Sequence, residues 1–395
     1  MNYTQTYSTV SNMQSGMQKK SAKGCGTKVL FVILFAIGFF VSYYFIIPAL
    51  FPNSIRGNLQ NLVVFPSGEG KYQLWIQTDG SFHYTSKKTT GGSYSVSSEG
   101  LFCKTYSYVY DPLSKDVLNA FKTNYDDLPP VPEIEYHKGK IWVVISNSKG
   151  PSELNVYSTE NYQQVLNTQT FCEKSKELSA GIEKVYIDNR KPFRLRISTK
   201  DGKELIYAVE DDKFFNNVPD YGKYFKEKDT SYTGEFLMDR EKNSDKRKKI
   251  YYVTGPKYQL YFSTVYPSQA LEYKGSTYQK LEVVDLFPDK AFVEGELLYS
   301  DNEIAVVLHQ DKIGKNSNRM LSCVNKDGKE MWTIQQEDLY DKMKGDEDNS
   351  LTDMFFLRGY MSAQRMGNII VMMFKPEGAM GFDLPSGKKV WEFDN

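Results

Sequence analysis

The sequence predicts an all-β fold, a β-propeller of six to eight blades with seven favoured, carried behind one transmembrane α-helix. Three observations predict it. Short β-branched and aromatic runs alternate with Gly-, Asp- and Asn-containing turns along most of the chain, the pattern of antiparallel hairpins. Turns near positions 79, 114, 160 and 201 recur about every 35 to 45 residues, the size of one four-stranded blade. Val29 to Phe51 is an uninterrupted apolar run without a single charge.

Composition supports the first of these and excludes several functions. The 395 residues are 40% hydrophobic and 25% charged, enough for a large core. The 29 Tyr and 24 Phe suit a half-buried pleated surface, since few long helical patterns are present to use them. Forty-nine basic residues balance forty-nine acidic ones, so no net field draws in nucleic acid. Four cysteines, Cys25, Cys103, Cys172 and Cys323, form no Cys-x-x-Cys pair, which removes a zinc or thioredoxin-like site. One disulfide is expected outside the membrane, Cys103 with Cys172, because the two lie in early, neighbouring repeats. Three buried reduced thiols are the alternative.

In chain order, residues 1–28 are rich in Ser, Thr, Gln and Lys with no apolar period, and are expected to be a disordered cytoplasmic tail. Lys19, Lys20, Lys23 and Lys28 hold that end inside, and residues 29–51 then cross the bilayer. The run ends in IIPALFPNS with no small-x-small site, so an uncleaved signal anchor is expected. Residues 52–395 would then form the extracytoplasmic propeller, periplasmic or extracellular, on a single-pass protein of the cytoplasmic membrane. The only Asn-x-Ser/Thr sequon is at Asn2, which favours a bacterial envelope.

From Asn58 the strands follow one another: LVVF and YQLWIQ to the turn at Asp79-Gly80, LFCKTYSYVYD to Pro112–Asp116, KIWVVIS and ELNVYS to Thr159–Asn161, and FRLRIST to Asp201-Gly202-Lys203. Between Lys203 and Asp327 the period blurs, although GEFLMDREKNSDKRKKIYYV and YQLYFSTVYPSQALEYKG read as further hairpins. Glu241–Lys249 is expected to be a solvated hairpin tip. Residues 336–353 interrupt the strands with a helical piece and an acidic loop. The closing run, GNIIVMMF through VWEFD, is one complete meander.

Two segments, Met320–Thr333 (MLSCVNKDGKEMWT) and Ala379–Glu392 (AMGFDLPSGKKVWE), carry a shared pattern. They resemble the repeat of quinoprotein-like propellers, the pyrroloquinoline-quinone type, in which an Ala-x-Asp strand, a Gly-Lys turn and a Trp recur in each blade. Asp383, Gly387, Lys388 and Trp391 match it, and Asn325, Gly328, Lys329 and Trp332 match with Asn for Asp. The resemblance implies structural roles: Gly328 and Gly387 in positive-φ turns, Trp332 and Trp391 packed between blades. It also implies the non-catalytic branch without a cofactor, because the vicinal cysteine pair of the dehydrogenases is missing.

No catalytic constellation stands out. His83, His137 and His309 sit in no recognised spacing, and Asp126-Asp127, Asp211-Asp212 and Glu337-Asp338 are read as solvated turns. Asp346, Asp348, Ser350, Thr352 and Asp353 offer oxygens to a hard cation, but Leu351 and Leu357 stand where a calcium loop needs Gly and an acid, so an acidic surface loop is the default. Gly91-Gly92 is read as a flexible tip. The expectation is a membrane-anchored scaffold or protein-binding module with an envelope protein as partner. An enzyme, hydrolase or dehydrogenase, working at the channel mouth is the alternative.

Overall fold

A computed structural model describes residues 32–35, 37–39, 55–68, 70–80, 82–90, 93–125, 132–146, 150–188, 190–241, 246–272, 280–314, 317–339, 361–375 and 378–394. The chain divides into two compact units, Met1–Ser54 and Ile55–Asn395. In the first, residues 32–35 and 37–39 are helical, with apolar side chains such as Phe35 left 76% exposed. Among the described residues no helix is long and apolar enough to cross a membrane. The expected tail and most of the expected 29–51 span lie outside the described residues.

The second unit is a succession of antiparallel meanders. β1 (Asn58–Gly68), β2 (Lys71–Asp79), β3 (Phe82–Thr90), β4 (Ser93–Asp111) and β5 (Asp116–Tyr125) make the first sheet. Its four-stranded part is β1, β2, the C-terminal half of β4, and β5; β3 and the N-terminal half of β4 extend it as a ribbon. The second sheet is β6 (Glu133–His137), β7 (Lys140–Ile145), β8 (Glu153–Ser158) and β9 (Gln164–Asn167), followed by α1 (Thr168–Glu173). The third is β10 (Ile182–Asp188), β11 (Arg194–Thr199), β12 (Glu204–Ala208) and β13 (Lys213–Phe215), then α2 (Val218–Lys228).

The next sheet runs through seven strands but divides in two. β14 (Tyr232–Arg240) and β15 (Arg247–Pro256) lead through α3 (Lys257–Phe262) and α4 (Pro267–Glu272) to β16 (Glu282–Asp285), which returns to β15. β17 (Phe292–Ser300), β18 (Ile304–Gln310), β19 (Arg319–Asn325) and β20 (Glu330–Gln335) form a separate meander, joined to β15 only at Arg247 and Lys248. After α5 (Gln336–Leu339), the last sheet is β21 (Met361–Met366), β22 (Ile369–Phe374), β23 (Gly378–Asp383) and β24 (Lys389–Asp394). The described residues therefore form six meanders, one fewer than the favoured seven.

The difference lies in the stretch where the period blurred. GEFLMDREKNSDKRKKIYYV forms the expected hairpin, β14–β15, but YQLYFSTVYPSQALEYKG forms α3 and α4 instead of a second one. Tyr258 and Phe262, four residues apart, stack at 5.8 Å, and Phe262 packs on Tyr221 and Phe225 of α2. Packing at helical spacing has overridden the β propensity of the aromatics.

Strand alternation explains how the meanders assemble. Successive side chains point to opposite faces, so each sheet offers one face to each neighbour. In the first sheet Leu62, Val64, Leu74 and Ile76 pack with Val371, Met373 and Phe393 of the last. Val63, Phe65 and Trp75 pack with Ile141, Val143 and Ile145 of the second. Trp142 and Val144 of the second pack with Val185, Leu195 and Ile197 of the third. Phe236 and Ile250 meet Phe292, Ala305 and Val307, while Val306 and Leu308 meet Ile370, Met372 and Phe374. The last unit thus returns to the first. The first strands pack β1 on β6, β6 on β10, β14 on β17, β17 on β21 and β21 on β1, with no comparable contact between β10 and β14 among the described residues. The fold is all-β and propeller-like, with separate sheets held by side chains.

Candidate functional site

The second and third sheets leave a cleft of about 260 Å³ at their turns. Its near side is the β6–β7 hairpin, closed by two residues with positive φ, Lys138 at 46° and Gly139 at 75°. That pairing follows the right-handed twist of the strands and makes the tightest hairpin, so His137, Lys138 and Lys140 flank the opening. The far side is the turn between β12 and β13, which supplies Val209, Glu210 and Asp212. Val156, Val165 and Leu166 line an apolar wall, and Lys174 adds a third cation.

Aromatic rings form the floor. Trp142 packs edge-on against Phe193 at 5.8 Å and tilted against Tyr207 at 6.4 Å, and Phe193 lies 5.1 Å from His137. The Tyr207 hydroxyl donates to Asp212 Oδ1 at 2.5 Å, and burial together with that carboxylate pushes its pKa up. Two buried nitrogens are left without hydrogen-bond partners: Trp142 Nε1, a donor, and His137 Nε2, a donor or an acceptor according to the tautomer. The nearest carboxylate oxygen to His137, Glu210 Oε1, stands at 4.0 Å, beyond hydrogen-bond reach. Burial lowers the His137 pKa, opposed by Glu210, so the ring is neutral near pH 7. Among the described residues no Ser, Thr or Cys lines the cleft. It is built to accept hydrogen-bond acceptors beside an apolar group.

Glu133, Glu135 and His137 alternate along β6 and so share the face that bears Trp142, the cross-strand partner of Glu135. Glu133 Oε2 accepts from the Ile187 amide at 2.7 Å. The Glu135 carboxyl has no such donor, and burial pushes it up to about 7.

Residues singled out in the sequence fall elsewhere. Gly328 and Gly387 have φ of 74° and 68°. Trp332 leans across to the last sheet, where its Nε1 donates to the Leu384 carbonyl at 2.7 Å, and a Cβ on Gly387 would come within 2.6 Å of its ring. Trp391 reaches the first sheet and donates to the Tyr72 hydroxyl at 2.6 Å. Asp383 holds its own turn by accepting from the Ser386 amide. His309 Nε2 is 2.9 Å from Ser322 Oγ, but both are buried inside the fifth meander. Asp211 pairs with Lys228. Cys172 is a free thiol on α1, and the side chain of Cys103, on β4, lies outside the described residues, as do Asp126, Asp127, Asp346, Asp348, Ser350 and Asp353. Among the described residues singled out in the sequence, only His137 and Asp212 join the cleft. The tight turn at Lys138-Gly139 was the signal that could have marked it.

Neither a family model nor a curated protein matches the sequence. Solved structures similar to the chain include an uncharacterised protein of Listeria monocytogenes EGD-e, at 8% identity and a TM-score of 0.32 over 86% of each chain. A computationally designed protein aligns at 9% identity and a TM-score of 0.22, over 86% of this chain and 88% of that one. The β-propeller domain of the Trilobed protease from Pyrococcus furiosus aligns at 11% identity and a TM-score of 0.28, over 84% of each. All three likenesses are distant, and the propeller-like description rests on the antiparallel sheets and their packing.

Proposed function

We propose that this chain is a membrane-anchored, extracytoplasmic β-propeller of six blades that binds a protein partner in the cell envelope and carries out no catalysis. The observation that carries the binding reading is the cleft between the second and third sheets. Two buried nitrogens without partners cost free energy on their own, and a docked segment would satisfy them, a backbone carbonyl or carboxylate accepting from Trp142 Nε1 and a polar group of the segment pairing with His137 Nε2. The wall of Val156, Val165 and Leu166 takes an apolar side chain of that segment, and Lys138, Lys140 and Lys174 favour an acidic one beside it. Propeller geometry is supported by the return of the last meander to the first, and the non-catalytic quinoprotein-like repeat by the docking of Trp332 and Trp391. Membrane anchoring is supported by the charge-free run behind the lysine cluster and by the exposed apolar side chains at 32–39.

A photoreactive amino acid at Val165, which is 51% exposed on the cleft wall, tests the reading in cells. A discrete envelope-protein adduct is expected, and it should disappear when Lys138 and Lys140 are both changed to Glu. Failure to trap any protein from Val165 would sink it.

One observation favours the enzymatic alternative. Glu135 lies on β6, whose neighbours are the first strands β1 and β10, and a carboxyl raised to about 7 is suited to general acid work. Loss of a measured hydrolysis in Glu135→Gln would favour that reading, whereas binding requires only that the partner still dock.

A further inference from the structure

The junction between the third and fourth units is built unlike the other five. Elsewhere, buried side chains on the strands of one sheet meet those of the next. Here α2 and α3 intervene on the outer side: Ile206 and Ala208 of β12 pack on Tyr221, Phe225 and Phe262, and α3 in turn packs on Tyr251 and Val253. On the inner side β10 has no contact with β14 comparable to those between the other neighbouring first strands. The face of β10 and β11 turned that way is polar and open, with Tyr186 42% and Arg196 46% exposed.

There one carboxylate, Asp188, meets three guanidiniums, with Lys184 and Glu204 further along the same face. Asp188 Oδ2 accepts from Arg190 Nη2 at 2.9 Å, Arg194 Nε at 3.0 Å and Arg196 Nε at 3.0 Å, and Oδ1 accepts from Arg190 Nε at 2.9 Å. The cross-strand register puts Asp188 opposite Arg194 and Tyr186 opposite Arg196, so all four share one face. Arg194 is fully buried over the Phe262 ring, and its Nη1 has no acceptor. Arg196 is engaged only through Nε, leaving its outer edge free. One acid cannot neutralise three bases, and Lys191, which stands near Glu235 of β14, adds a fourth cation. A structural ion pair needs one arginine; the excess positive charge is unexplained by the fold.

We propose that the open face formed by Tyr186, Arg190 and Arg196, backed by Arg194, binds the oxyanion group of a small ligand, a carboxylate or a phosphate. Planar guanidinium edges match both groups in a two-pronged geometry. The site is separate from the cleft of the second and third sheets, because the side chains that build it project from the opposite face of the third sheet.

Calorimetric titration of the full chain in neutral detergent tests it, using inorganic phosphate and succinate as probes at matched ionic strength. Saturable binding of phosphate alone, of succinate alone, or of both assigns the group. Arg196→Gln should weaken that binding at least about tenfold, and Arg196→Lys, which keeps the charge but not the fork, should also weaken it. Thermal unfolding of each variant in the absence of anion checks that it is folded, and Arg190→Gln, at an exposed position, provides a second reading should Arg196→Gln not fold. Binding of neither anion, or unchanged binding in both Gln variants, would overturn the proposal.

Discussion

Gly387 shows how one atom can be decisive at a blade junction. Its φ of 68° already penalises a side chain, and the added methyl would meet a Trp332 ring that is held in place by its hydrogen bond to Leu384. Gly387→Ala is expected to cost about 2–4 kcal/mol in urea unfolding, and a loss under about 0.5 kcal/mol would show that the ring can retreat. Glu135 makes a prediction of opposite kind. Its carboxyl rises from an ordinary 4.5 to about 7 in the folded chain, so the folded state holds this proton more tightly than the unfolded one. The resulting stabilisation is complete below about pH 4.5 and is lost as pH climbs through 7. Glu135→Gln should therefore unfold at a higher temperature than the parent at pH 8, by about 1–3 kcal/mol of stability, and match it at pH 4. Equal midpoints at pH 8 would mean the carboxyl is better solvated than its surroundings suggest.

β21 joins the last sheet to the first, in part through one side chain. Gln364 Nε2 donates to the Leu62 carbonyl at 2.7 Å and its Oε1 accepts from the Val64 amide at 2.9 Å, so one amide pairs with β1 as a short strand would. Among the described residues no strand is exchanged between the first and last sheets, and this latch acts beside the apolar contacts and the Trp391–Tyr72 bond. Gln364→Leu keeps the bulk but leaves two backbone groups without partners, at a cost of about 1–3 kcal/mol. Amide exchange at Val64 should accelerate well beyond that at Val143, which lies in the neighbouring sheet. Uniform protection of both amides in the variant would show that the latch is dispensable. The same elements show how far sequence carried. A continuous apolar run such as KIWVVIS marked β7, whereas α3 was unreadable because its aromatics favour either structure until α2 supplies a surface.

At the scale of the molecule, anchoring is the property on which the functional proposal depends. A protein held by residues 29–51 should stay with membranes in alkaline carbonate, and removal of residues 1–51 should release it to the soluble fraction. Carbonate extraction of the full chain would overturn the anchor. Enzymatic reporters fused after Asn395 provide the orientation, with an alkaline phosphatase active only if the last sheet lies outside the cytoplasm.

The sequence by itself determined the local order: strand after strand, the turns at Gly328 and Gly387, and the two tryptophans that follow them. These follow from short-range patterning, which each segment carries within itself. Only the tertiary structure decided that the last meander packs on the first, that a helix pair stands between the third and fourth units, and that His137, Trp142 and Tyr207 meet. Trp142 and Tyr207 are 65 positions apart and read as ordinary strand aromatics, and FRLRIST read only as a strand before a turn. Their neighbours come from sheet-to-sheet packing, which depends on side chains far away in sequence and leaves no local signature.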